Sequence, residues 1–428
     1  MGNAMNFREN RLTHALANLF LLALIVLAGE GLLQIASRWS PAVDRVTQPP
    51  WHETERTAPL TIPDERLGHR GNPAFPNHDL RGFRNPLALD QATIVALGDS
   101  QTYGVGVEPW ESWPSLLSNE LDRSVYNMGV NGYGTLHNQD NLSAALDLRP
   151  FLIIFGLYLG GDFYHDFAFA KENAVLAEYT SPSDLNEITA LERHSTMAEE
   201  VSELVYSRRA TDAASQAESA EQTNLLRRFR RLLSEHSKIY GLLRTLKNQL
   251  LARQEQRALL AHEFDQALKT LPDRQSELAW PFDGSDWKTI LTPPYRLRMM
   301  DDGDPRIRAG VEAAKQALGK MYDNAASADA TLLVLLLPTK ESVFWPKIEN
   351  AESHAELGML IQVEQQLREE LRRHLEGLGI DVIDPLPALR SAYRQPYPPD
   401  SDGHPNAVGH GIIAREILRN LRRHLEPR

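Results

Sequence analysis

Five short apolar runs, separated by longer helical patterns, constrain this chain more than any other feature. Residues 92–97 read ATIVAL and run straight into Gly98-Asp99-Ser100. A shorter run begins at Val125 and ends in the turn Gly129-Val130-Asn131-Gly132-Tyr133-Gly134, and residues 151–159, FLIIFGLYL, end in Gly160-Gly161-Asp162. Residues 330–338, ATLLVLLLP, and 380–384, IDVID, complete the set. Runs this short and this evenly apolar fit strands buried on both faces of a parallel sheet. Helical spacing near 110–121, 308–325, 354–377 and 411–426 supplies the crossovers, so the expected class is α/β, a three-layer parallel sheet with helices on both faces. Ligands bind at the carboxyl ends of such strands, where loops and helix N-termini line a crevice. Ser100 falls at that place; the competing reading makes Asp99-Ser100 a helix cap.

The 428 residues suffice for one large domain with an insertion, or for two domains. A net charge of −12 argues against a nucleic-acid partner, which needs clustered basic charge. The basic run at 227–231 lies in a mixed-charge helical stretch and reads as a solvated face. Without cysteine the chain has no thiol catalysis, no cysteine zinc site and no disulfide. Residues 15–39 are apolar enough to cross a bilayer as a helix, against the alternatives of a cleaved signal peptide or a core helix. The expectation is a membrane anchor over 1–40, an extended proline-rich linker over 41–80, and an α/β domain over 81–428. A helical insertion is expected over about 168–300.

Three loops then converge on one sheet edge. A serine hydroxyl needs a base to take its proton, and that imidazole needs an acceptor on its other nitrogen. Asp402-Gly403-His404 offers both, with Asp400 an alternative acid and His410 an alternative base or a capping residue. The oxyanion formed in acyl transfer needs N–H donors, which Ser100 and Gly132 are placed to give. The glycines at 129, 132 and 134 also fit positions needing positive φ. Lys340-Glu341 reads either as a surface pair or as part of the site entrance. No HExxH spacing or phosphate-loop motif occurs, and neither metal nor cofactor is expected.

These residues resemble the SGNH or GDSL hydrolases, in particular membrane-anchored bacterial members. Gly98-Asp99-Ser100 looks like the first block, Asn127-x-Gly129-x-x-Gly132 like the second, and Asp402-x-His404 with Pro-Asn-x-x-Gly-His like the last. Gly82-Phe83-Arg84 and Pro338-Thr339-Lys340-Glu341 are similar to features of the anchored members, some of which are linked to exopolysaccharide modification. The resemblance covers about 80–165 and 305–425. It implies a flavodoxin-like fold and a serine esterase or acyltransferase acting on O-acyl groups of an extracytoplasmic glycan. Its catalytic residues would be Ser100, His404 and Asp402, with oxyanion donors at Ser100 and Gly132, in a domain held at the inner membrane by a single span. One departure stands out: Gly161 replaces the family's third donor, an asparagine, so Gly161's own amide or Asn131 is the expected support. The alternative is a catalytically silent glycan-binding or scaffold protein.

Overall fold

The computed structural model describes residues 2–40, 58–204, 237–243, 256–269, 278–349 and 354–425, with a few isolated positions between them. The chain divides into two compact units, Met1–Glu55 with Asp212–Gln256, and Arg56–Thr211 with Arg257–Arg428.

In the first unit the helix Gly2–Trp39 contains the stretch Phe20–Trp39, 20 residues of mean hydropathy 2.0, long and apolar enough to cross a membrane. Its one acidic residue in this stretch, Glu30, accepts hydrogen bonds from Ser237 Oγ (2.8 Å), Lys238 N (2.7 Å) and Ile239 N (3.0 Å). The basic run at 227–231 and most of the amphipathic stretch 225–264 lie outside the described residues.

The second unit is built on a five-stranded sheet. Its strands are β3 (Ile94–Gly98), β4 (Val125–Asn127), β5 (Leu152–Tyr158), β8 (Thr331–Leu337) and β9 (Asp381–Ile383), in the order β4-β3-β5-β8-β9 and parallel throughout. The apolar runs make strands because both faces are covered, and the period of two shows which residue serves which face. Val95, Leu97, Ile153 and Phe155 join one core cluster, with Ile307, Leu318 and Leu371 from the helices Pro305–Ser327 and Ala355–Leu378. Ile94, Ala96, Leu152 and Ile154 join the other, with Trp113 and Leu117 of Trp113–Leu121 and Ile413 and Ile417 of Ala407–Leu425.

Two segments differ from the sequence expectation. Residues 58–80 contain an antiparallel hairpin, β1 (Thr61–Asp64) with β2 (Gly68–Gly71), instead of an extended linker. Its end packs so closely that a Cβ on Gly71 would lie 1.9 Å from Gly82 O, and Gly82 itself has φ +88°. The region 168–300 is not helical throughout: a second hairpin, β6 (Trp280–Asp283) with β7 (Lys288–Leu291), leads into the helix Pro293–Met300. The helices Pro182–His194 and Met197–Leu204 are fixed to the domain by ion pairs. Arg306 reaches Glu192 and Glu200 at 3.1 Å each and Asp304 at 2.9 Å, and Arg298 also pairs with Asp304 and Glu200.

Candidate active site

The carboxyl end of β3 forces a sharp turn. Gly98 has φ +150°, and a Cβ there would sit 2.3 Å from Thr102 Oγ1, so only glycine fits. Asp99 then caps the short helix Ser100–Tyr103 by accepting from Gln101 N at 2.9 Å, and Gly104 (φ +86°) ends it. The capping role thus belongs to Asp99 Oδ1, while Asp99 Oδ2 lies 3.3 Å from the Ser100 hydroxyl. Arg84 braces the far side of this turn, donating to the carbonyls of Gly104 (2.5 Å) and Val107 (2.7 Å). Asn127 ties the turn to the next loop, donating to Thr102 O at 3.0 Å while its Oδ1 accepts from Gly129 N at 2.9 Å.

Residues 302 to 304 positions later in the chain meet this turn. Ser100 Oγ lies 2.8 Å from His404 Nε2, and His404 Nδ1 lies 2.5 Å from Asp402 Oδ1. With the imidazole neutral, Nδ1–H donates to the carboxylate and Nε2 accepts from the serine hydroxyl, the tautomer a general base requires. The loop that carries Asp402 and His404 is held at several points. Gln101 Nε2 donates to Gly403 O (3.3 Å), Asp402 N to Asp400 Oδ1 (2.9 Å), and His404 N to Asp402 Oδ1 (3.0 Å). Lys340 Nζ donates to the carbonyls of Ile290 (2.7 Å), Asp400 (2.8 Å) and Asp402 (3.0 Å). Burial works against the ionised form of Asp402, yet the charge of His404, two hydrogen bonds from it and the nearby Lys340 hold the carboxyl well below the usual range. Burial in turn pushes the Lys340 ammonium down to about 8, against the attraction of Glu341, Asp400 and Asp402.

The remaining sequence candidates fall into place around this triad. Asp400 touches the backbone of Asp402 and not the imidazole. His410 is fully buried, accepts from Trp113 N at 3.3 Å, and is pushed down to about 3 by burial, so it serves packing and not proton transfer. Lys340 and Glu341 are 1% and 0% exposed, which excludes both a surface pair and an entrance. Gly132 has φ +79°, and its amide, like that of Ser100, has no acceptor among the described residues. The amide of Gly161 is committed to Tyr158 O at 3.3 Å. Asn131 gives its carbonyl to His69 Nε2 at 2.8 Å, while its side-chain oxygen is buried without a partner. His69 on β2 and His165 on the helix Asp162–Glu172 flank Gly132, within 3.7 and 4.0 Å of where its Cβ would be. Neither histidine was singled out by sequence reasoning, and no local pattern marks them. No cluster of three metal-ligating side chains occurs among the described residues.

Against Gly134, burial pushes the Asp166 carboxyl up to about 7, although Leu136 N donates to its Oδ1 at 2.7 Å. Its folded pKa is raised above the ordinary carboxyl value, so the native state holds a proton that the unfolded chain releases between about pH 4 and 7. That group's contribution to stability is therefore lost as pH rises through this window. Asp166→Asn keeps the acceptor and removes the titration. Its melting temperature relative to the parent is expected to rise between pH 5 and pH 8; a constant difference would exclude a protonated Asp166.

A family model described as GDSL-like lipase/acylhydrolase matches residues 96–175, which carry the Ser100 turn, the Gly132 loop and β5. A search of curated proteins finds no relative. Among solved structures, a lipolytic protein of the G-D-S-L family from Desulfitobacterium hafniense is 12% identical, with 76% of this chain and 97% of that chain covered and a TM-score of 0.34. TesA is 10% identical, with 78% and 99% covered and a TM-score of 0.32. The psychrotrophic esterase EstA from Pseudoalteromonas sp., in a structure inhibited by monoethylphosphonate, is 9% identical, with 79% and 100% covered and a TM-score of 0.29. The match over residues 96–175, which include Ser100 at the sharp turn after β3, makes this part of the chain similar to the GDSL-like lipases and acylhydrolases.

Proposed function

We propose that this chain is a serine esterase or acyltransferase in which Ser100 attacks an acyl carbonyl, His404 is the general base and Asp402 fixes its tautomer. The observation that carries the reading is the unbroken path from Ser100 Oγ to His404 (2.8 Å) and on to Asp402 (2.5 Å). As Oγ bonds to the carbonyl carbon, its proton passes to Nε2, and the amides of Ser100 and Gly132 receive the oxyanion. His404 then returns the proton to the leaving alkoxide, and water or a second alcohol repeats the sequence on the acyl-enzyme. The substrate in this reading is an O-acylated glycan outside the cytoplasm. Its support is the likeness of Gly82-Phe83-Arg84 and Pro338-Thr339-Lys340-Glu341 to membrane-anchored members linked to exopolysaccharides, together with the apolar span Phe20–Trp39, read as a single inner-membrane anchor.

The test is covalent labelling of the detergent-solubilised full chain with a fluorophosphonate. Stoichiometric modification at Ser100, absent in Ser100→Ala, is expected. Tight glycan binding without labelling would replace the enzyme by a silent binding protein built on the same cleft.

A further inference from the structure

Arg296 is a charged side chain near the triad that the mechanism above leaves unused. It stands on the helix Pro293–Met300, is 9% exposed, and no carboxylate among the described residues comes within 4.0 Å of it. Glu341 and Asp402 attract it from beyond ion-pair distance, and neither touches it. Asp402 is bonded to His404 and Glu341 Oε1 to Thr292 N at 2.9 Å, while Glu341 Oε2 is buried without a hydrogen-bond partner; a guanidinium desolvated without a contacting anion is costly. What surrounds the guanidinium is two aromatic rings and two backbone loops. Its central carbon lies 5.6 Å from the ring centroid of Tyr158 and 4.7 Å from that of Tyr295, Nη1 donates to Gly160 O at 3.3 Å, and Nε is buried without a partner. Nη2 lies against Gly403, 2.1 Å from where a Cβ would be, so a side chain at 403 would displace the guanidinium from this position. Gly403 directly precedes His404, and Gly160 lies on the turn at the carboxyl end of β5. The cation is therefore wedged between the base loop and the sheet edge that faces Ser100.

We infer that Arg296 donates through Nη2 to the oxyanion, as a third donor beside the amides of Ser100 and Gly132. This rests on the triad reading above. When Ser100 Oγ bonds to the acyl carbon, the carbonyl π pair moves onto oxygen and the serine proton goes to His404; Arg296 keeps its protons throughout and supplies charge. The aromatic faces and the scarcity of water around it favour a guanidinium that stays charged and fixed before the anion appears. Gly161, on the same turn, has no side chain to contribute and has spent its amide on Tyr158. A Cβ there would meet Tyr158 at 3.4 Å and Met299 at 3.8 Å, ordinary contact distances, so an amide side chain can be introduced at the same turn.

The experiment uses the full chain in detergent with p-nitrophenyl acetate, a neutral ester. Arg296→Ala is expected to lower kcat by about 10²–10³ with KM little changed, the usual effect of losing one oxyanion donor. Two rescues separate this from a structural staple. Millimolar guanidinium chloride should restore part of kcat in Arg296→Ala, and Gly161→Asn should raise kcat by a larger factor in the Arg296→Ala background than in the parent. Loss that neither guanidinium nor Gly161→Asn recovers would overturn the proposal, as would an unchanged kcat or a change confined to KM for anionic esters. Fluorophosphonate labelling of the parent keeps the two readings apart. If the parent is labelled at Ser100 and Arg296→Ala is labelled at the same rate, only the role of Arg296 falls; if the parent is not labelled, both fall.

Discussion

Ser100→Ala and His404→Ala are each expected to lower kcat for p-nitrophenyl acetate by about 10⁵–10⁶, and the double variant by no more than either alone. The reason is that each residue is useless without the other. Ser100 Oγ lies 2.8 Å from His404 Nε2, so removing the hydroxyl leaves a base with no nucleophile and removing the imidazole leaves an alcohol too weak to attack. Neither change disturbs the framework. The nucleophile turn is set by Gly98, by the Asp99 cap on Gln101 N and by Arg84 on the carbonyl of Gly104, none of which uses the serine side chain. The base loop is likewise held by Lys340 and Gln101 through backbone carbonyls at 402 and 403. Thermal unfolding of both variants should therefore stay close to that of the parent. Turnover within tenfold of the parent in both would remove Ser100 and His404 from the chemistry.

The parts of this site that were legible in the sequence are those whose constraint is local. A strand buried on both faces must be apolar at consecutive positions, so β3, β5 and β8 announced themselves, and the turn after β3 needed a glycine at 98 for steric reasons written into the same six residues. Asp402 and His404 are two residues apart, so their contact could be expected from the sequence, with Asp400 as the alternative. What escaped was set by contacts across the chain. Lys340 finds its three carbonyl partners 50, 60 and 62 residues away, and nothing in Pro-Thr-Lys-Glu distinguishes that from a solvated pair. The hairpin of β6 and β7 is built from WPFD and KTIL, where a proline and charged residues break the alternation that marks a strand. That hairpin delivers Thr292, Tyr295 and Arg296 to the site, so missing it meant missing them too. His69 arrives in the same way, on a hairpin hidden in a proline-rich stretch.

Asp402→Ala is expected to lower kcat by about 10⁴, roughly the cost of removing the acid from a serine triad, while Asp400→Ala costs about tenfold or less. The sequence favours Asp402 as the partner of His404 and keeps Asp400 as the alternative; the two carboxylates differ in what they touch. Asp402 Oδ1 takes the imidazole Nδ1 at 2.5 Å, whereas the Asp400 carboxylate takes the Asp402 amide at 2.9 Å. Without Asp402 the imidazole loses the acceptor that keeps its proton on Nδ1, so the nitrogen facing Ser100 is protonated part of the time and cannot act as base. It also loses the negative charge that stabilises the imidazolium once the serine proton has moved. Without Asp400 the loop loses one hydrogen bond to a carboxylate, worth about 1.5–3 kcal/mol at most, and part of that is made up by the other tethers. Two of those tethers survive in Asp402→Ala, because Lys340 reaches the carbonyl at 402 and Gln101 the carbonyl at 403, neither through the carboxylate, while the bond from His404 N to Asp402 Oδ1 is lost. Because the native state holds the Asp402 carboxyl well below its ordinary range, Asp402→Ala is also expected to lower the melting temperature, so the loss of kcat is read at a temperature where the variant is folded. Equal losses of kcat in the two variants would mean that the acid orienting His404 has been misassigned.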